Sequence, residues 1–174
     1  MKSLVRTLGI LLLLPAVALA HGPTPQKARE QIHIDAAPGA VWEVLGDLSS
    51  LADWQPRLKA VQVEGSGKQA KRVLVFNDGG TITEGMDEYD PERHYMGYRL
   101  SKEDPEVFPV SFYTATLEVK PDGNGSKVEW IARFYRGDTG NFPEEGQTDE
   151  AAQKAMHGFF QDGLKGLKAE VEGG

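Results

Sequence analysis

Cysteine is absent from the 174 residues. Disulfides, thiolate-ligated zinc, iron–sulfur clusters and covalently attached c-type haem are therefore excluded for this chain acting alone. Basic charge is scarce: 19 Lys and Arg stand against 26 Asp and Glu, a net charge of −7. Nucleic-acid binding needs clustered cations that release counterions, and anionic membranes need the same, so neither is an expected partner. Long apolar runs are also few. One of 13 residues extends from Leu8 to Ala20, too short to cross a bilayer comfortably. No G-x-S-x-G, P-loop or dinucleotide fingerprint occurs, and no serine sits in the setting of a nucleophile.

What is present suits one globular domain. Apolar residues make up 40% and charged residues 26%, enough for a core and too apolar for intrinsic disorder. Residues 1–20 read as a secretory signal: Lys2 and Arg6, then the apolar run, then the small-x-small site Ala18-Leu19-Ala20. Cleavage there leaves 154 residues with 17 basic against 26 acidic side chains, a net charge of −9. A periplasmic destination follows, without a membrane anchor after cleavage. Residues 21–27 (HGPTPQK) are expected as an extended arm, and residues 28–174 as one domain.

Periodicity orders that domain. Ala28–Asp35 alternates as a half-buried strand, and Pro38 opens a helix with Val41, Trp42 and Leu45 on its apolar face. Leu48–Trp54 reads as a second short helix before Pro56. Six strands follow: Leu58–Val63, Lys71–Phe76, Thr81–Tyr89, Tyr95–Leu100, Ser111–Lys120 and Lys127–Tyr135. The tail carries Ala152, Ala155, Met156, Phe159, Phe160, Leu164, Leu167 and Val171 at three- and four-residue steps, one helical stripe. Gly158, Gly163 and Gly166 each weaken such a helix by about 1 kcal/mol relative to alanine, so it must pack on the sheet.

Alternation along the last strand puts Val128, Trp130, Ala132 and Phe134 on one face, and Phe112, Thr114 and Thr116 are taken as the equivalent face of its neighbour. With Trp54, Phe76, Met86, Met156 and Phe160 they would either line a ligand pocket or fill an ordinary core. Glu84, if it points inward, needs a partner, and Arg72 across the tight turn Asn77–Gly80 is the natural one, as a structural ion pair. The remaining carboxylates of that strand read as solvated. His33, His94 and His157 do not have metal-ligand spacing. His21, as the terminus after cleavage, would be a copper chelator, with no second histidine placed to complete a site. No cofactor is expected.

The order strand, two short helices, six strands and a long helix resembles the α+β helix-grip fold, a curved antiparallel sheet of about seven strands wrapped on a C-terminal helix. The residues resemble the SRPBCC superfamily (START/Bet v 1-like, polyketide cyclase/dehydrase-like). The likeness is carried by Ala37-Pro38-Gly39-Ala40-Val41-Trp42, Trp54-Gln55-Pro56, Arg72…Asp78-Gly79-Gly80…Glu84, Tyr89-Asp90-Pro91…Arg93 and Gly125…Val128-Glu129-Trp130. Within it, His21–Lys27 after a signal, Arg133-Phe134-Tyr135-Arg136-Gly137 and Asp149-Glu150-Ala151-Ala152 look like the MxaD group of periplasmic accessory proteins. That resemblance implies a non-catalytic helper of electron transfer between methanol dehydrogenase and its cytochrome c. A carrier of a lipid or other apolar small molecule is the alternative. A cyclase- or hydrolase-like enzyme using Tyr98, Thr114 or Glu118 is a third.

Overall fold

The computed structural model describes residues 22–173. The expected signal, and His21 with its terminal imidazole, lie outside the described residues. Seven antiparallel strands form one sheet in the order β1-β7-β6-β5-β4-β3-β2. They are β1 (Gln26–Ile34), β2 (Leu58–Glu64), β3 (Lys71–Phe76), β4 (Thr81–Asp90), β5 (Tyr95–Lys102), β6 (Val110–Asp122) and β7 (Gly125–Arg136). Two short helices, α1 (Pro38–Leu45) and α2 (Leu51–Trp54), connect β1 to β2, and α3 (Asp149–Gly173) ends the chain. This is the helix-grip fold. The first strand starts earlier than alternation alone implies, since Gln26 and Lys27 of the expected arm pair with Phe134 and Arg133.

The core lies between the concave face of the sheet and α3. Leu74 and Phe76 from β3, Ile82 and Met86 from β4, and Trp130 and Phe134 from β7 are buried there against Met156, Phe160 and Leu164 of α3. The glycines of α3 belong to this packing. A Cβ on Gly166 would stand 1.8 Å from the Trp54 carbonyl oxygen, and one on Gly163 would stand 2.7 Å from Gln55 Nε2. Their lost helix propensity is the condition for α2 to reach the helix backbone. Gln55 is wholly buried there, donating from Nε2 to the Phe159 carbonyl at 2.8 Å.

Strand β6 departs from simple alternation. Val110 pairs with Arg136 and Ser111 with Tyr135, but the next pair is Thr114 with Arg133. One extra residue sits on β6, a β-bulge, and within it Phe112 adopts φ +48°. Val110 is inward before the bulge, and Tyr113, Ala115, Leu117 and Val119 are inward after it. The expectation for Phe112, Thr114 and Thr116 is thereby corrected: the extra residue exchanges the two faces. Phe112 is 68% exposed, and Thr114 faces solvent on the outside of the sheet.

Candidate functional site

Arg72, Leu74 and Phe76 of β3 and Ile82, Glu84 and Met86 of β4 face inward, and Arg72 lies directly opposite Glu84 in the antiparallel register. The structure brings these two together as a fully buried pair, Arg72 Nε donating to Glu84 Oε2 at 2.5 Å. Two strands further on, the Tyr113 hydroxyl donates to Glu84 Oε1. Tyr98, from β5 between them, lays its ring under the guanidinium, 4.6 Å from the Arg72 Cζ. The Tyr98 hydroxyl accepts a 2.7 Å hydrogen bond from Trp130 Nε1. Five side chains from five consecutive strands of the sheet order thus form one polar cluster inside an apolar core. Arg72 Nη2, also buried, has no hydrogen-bond partner among the described residues. A buried donor without an acceptor costs about 1–3 kcal/mol, so this nitrogen marks either stored strain or a place for an acceptor atom.

Burial, and then the Glu84 charge, pushes the Tyr98 and Tyr113 hydroxyls far above the ordinary phenol value. Burial is the largest single influence on Arg72 and works against its charge, but Glu84 together with Tyr98 and Tyr113 outweighs it, and the guanidinium pKa is raised.

Aromatic rings close the space around this cluster. Phe76, Phe108 and Phe159 meet with centroids 5.4–6.2 Å apart. Phe108 then contacts Tyr113 edge-on at 6.4 Å. On the other side Trp130 stacks on Phe160 at 4.3 Å and meets Trp54 at 5.9 Å. Outside the phenylalanines lies a surface groove of about 360 Å³, lined by Arg57, Asn77, Asp78, Val107, Pro109 and Ala155 among others. Phe76 and Phe108 line this groove, and Phe108 in turn contacts Tyr113, the partner of Glu84.

Of the residues singled out by sequence, Trp54, Phe76, Met86, Trp130, Phe134, Met156 and Phe160 all lie in this interior. Phe112 and Thr114 do not, for the reason given by the bulge. Tyr98, Thr114 and Glu118 do not converge either: Tyr98 is inside, whereas Glu118 pairs with Lys120 at 2.8 Å on the outer side. Sequence reasoning missed Tyr113, Phe108 and Phe159 as lining residues. The apolar parity Tyr113-Ala115-Leu117-Val119 was the available signal for the first of them. The histidines are engaged separately, His33 with Asp122 at 2.9 Å and Asp35 at 3.1 Å, His157 with Glu30 at 2.6 Å. His94 packs its ring on Trp42.

A curved sheet gripping one long helix, with a charged pair sealed in an aromatic interior, defines the class. The chain belongs to the polyketide cyclase / dehydrase and lipid transport family, whose model matches residues 25–172. It is similar to the solved structure of the protein XoxI from Bacillus cereus, with 30% identity over 84% of this chain and 95% of that one and a TM-score of 0.70. An uncharacterised protein from Bacillus thuringiensis is 28% identical over 84% of this chain and 99% of its own, with a TM-score of 0.71. The ZhuI aromatase/cyclase from Streptomyces sp. R1128 shares the fold, with a TM-score of 0.68 at 20% identity over 86% of this chain and 94% of that one. No curated protein matches the sequence.

Proposed function

We propose that this chain is an exported, non-catalytic accessory protein that docks with methanol dehydrogenase or its cytochrome c in the periplasm and assists electron transfer between them. The observation that carries the reading is where the polar groups stand. The interior groups of chemical interest are engaged in mutual contacts behind Phe76, Phe108 and Phe159. What the molecule offers to solvent is an acidic surface, suited to steering toward a basic partner. The likeness to the MxaD group in His21–Lys27, Arg133–Gly137 and Asp149–Ala152 supplies the partners. The test is reconstitution: the purified protein is added to methanol dehydrogenase and its cytochrome c, and cytochrome reduction is followed. A faster transfer with no turnover by the added protein is expected. An unchanged rate together with no binding at low salt rejects the role.

A second reading rests on Arg72 Nη2. Its unanswered donor, beneath aromatic side chains and a surface groove, favours a carrier of an apolar molecule bearing one carbonyl or acidic oxygen. Such a ligand would enter by displacing Phe108 and Phe159. Native mass spectrometry of protein purified from its source, before any denaturing step, should then show a retained mass that R72M loses. A bare polypeptide mass removes this reading.

A further inference from the structure

Large apolar side chains exposed among the described residues are Val63 at 39%, Phe112 at 68% and Phe142 at 95%. The last belongs to the segment of residues 137–148 that joins β7 to α3, and that segment is built to a fixed shape. Arg136, the final residue of β7, is buried to 6% exposure. Its guanidinium donates from Nε to the Asp138 carbonyl and from Nη2 to the Gly140 carbonyl, both at 2.7 Å. Its Nη1 reaches Asp149 Oδ2, at the start of α3, at 3.3 Å. The turn is tightened further by Asp138 Oδ1, which accepts from the Gly140 amide at 2.7 Å. Both ends are tied to the body, the Gly137 amide to the Pro109 carbonyl at 3.0 Å and the Gln147 side chain to Glu106 at 2.8 Å.

A phenylalanine held almost wholly in water loses hydrophobic free energy for no internal return. A buried arginine spent on loop carbonyls is costly as well, unless the loop shape matters. Between Gly137 and Thr148 the charged residues are Asp138, Glu144 and Glu145, with no Lys or Arg. The segment therefore presents one exposed aromatic ring between a backbone turn fixed by Arg136 and a stretch whose only charges are acidic.

We propose that Phe142 is the anchor of a protein-docking site, and that its partner is a second protein with an apolar pocket bordered by lysine or arginine. The site stands whichever protein supplies that pocket, so it does not depend on the methanol-oxidation role. The acidic charges steer the encounter, and the ring supplies the affinity. Phe112 is the internal comparison. It is also an exposed ring, but Lys27 and Arg133 stand nearby, and a bulge rather than a clamp presents it.

The full chain carrying a photoreactive phenylalanine analogue at position 142 is produced in its source cells, irradiated, and the adduct identified by mass spectrometry. The identified partner is then purified and its affinity measured. F142A should weaken binding about tenfold or more, the loss typical of a buried aromatic anchor. E144Q with E145Q should weaken it about threefold at low salt and far less at 0.5 M salt, because exposed charges are screened. F112A should bind as the wild type does. No adduct from position 142, an adduct only to a second copy of this chain, or equal losses for F142A and F112A would overturn the proposal. If the partner is a basic protein other than methanol dehydrogenase or its cytochrome c, the docking site stands and the proposed function falls.

Discussion

Two arginines are buried among the described residues, and they are answered in opposite ways. Arg72 meets a carboxylate from the neighbouring strand, an aromatic face and no backbone group, deep in the core. Arg136 meets mainly backbone carbonyls of a loop, with one carboxylate at the start of a helix, at the edge of the core. Both occupy inward positions of strands. The difference is in what each cation organises. Arg72 and Glu84 answer one another's charge within the core, although the Arg72 Nη2 donor stays without an acceptor. Arg136 gives its donors away to the 137–148 segment, so the order it creates appears on the surface. One cation specifies the interior and the other shapes what a partner meets.

The contrast breaks most visibly at Glu84. E84Q leaves a guanidinium buried without a counter-charge and should lower the unfolding free energy by about 3–5 kcal/mol in urea denaturation. R72M combined with E84M should recover most of that loss, because a well-packed apolar pair is often no worse than a buried ion pair. A double variant as unstable as E84Q would mean that the hydrogen bond from Tyr113 and the ring contact with Tyr98, rather than uncompensated charge, carry the effect.

Removal of the other cation should act locally. R136M should cost roughly 3 kcal/mol through lost charge-assisted hydrogen bonds. Amide exchange should accelerate across residues 137–148 while β3 to β5 keep their protection. Uniform acceleration across the sheet would erase the distinction between the two arginines. Y113F is smaller again: it removes one donor to Glu84 and should cost about 2 kcal/mol, leaving the 137–148 amides untouched.

The smallest effect expected is at the exposed pair of His33 and Asp122, which contrasts with both. The hydrogen bond that His33 donates to Asp122 is the largest influence and raises the His33 pKa above its usual value, burial opposing it. A raised folded pKa means that the stabilisation is fully present below the ordinary imidazole pKa and fades as pH rises through the folded value. The urea midpoint should therefore fall slightly across that interval, and H33Q should flatten the change. A midpoint that rises there in the wild type, and no longer does in H33Q, would contradict the assignment.

Much of this molecule was legible before its coordinates. The period-two runs at Lys71–Phe76 and Thr81–Tyr89 became β3 and β4, and the stripe from Ala152 to Val171 became the inner face of α3. The pairing of Arg72 with Glu84 was visible because a charged residue at an inward position must be answered, and the tight turn puts the two opposite one another. Phe112 was misread for an equally physical reason. The face was assigned from Phe112, and the one-residue bulge there put Phe112 and the threonines after it outside, while the apolar run Tyr113, Ala115, Leu117 and Val119 faced inward. The glycines of α3 were read as weakness because the carbonyl that needs their empty space belongs to Trp54, far away in the chain. Arg136 was noted only as part of a motif, since a guanidinium that binds backbone carbonyls has no signature in the side chains it serves.

The sequence by itself determined the order of elements, the inward faces of the regular strands, the acidic balance and the absence of any thiol chemistry. These follow from periodicity, charge and residue type, which are local or additive quantities. Only the tertiary structure decided that Tyr98, Tyr113 and Trp130 join Arg72 and Glu84, that the phenylalanines close over them, and that Phe142 stands exposed beside the turn that Arg136 holds. Those outcomes depend on register, on one extra residue in a strand, and on distances between segments remote in the chain, none of which is a property of any short stretch of residues.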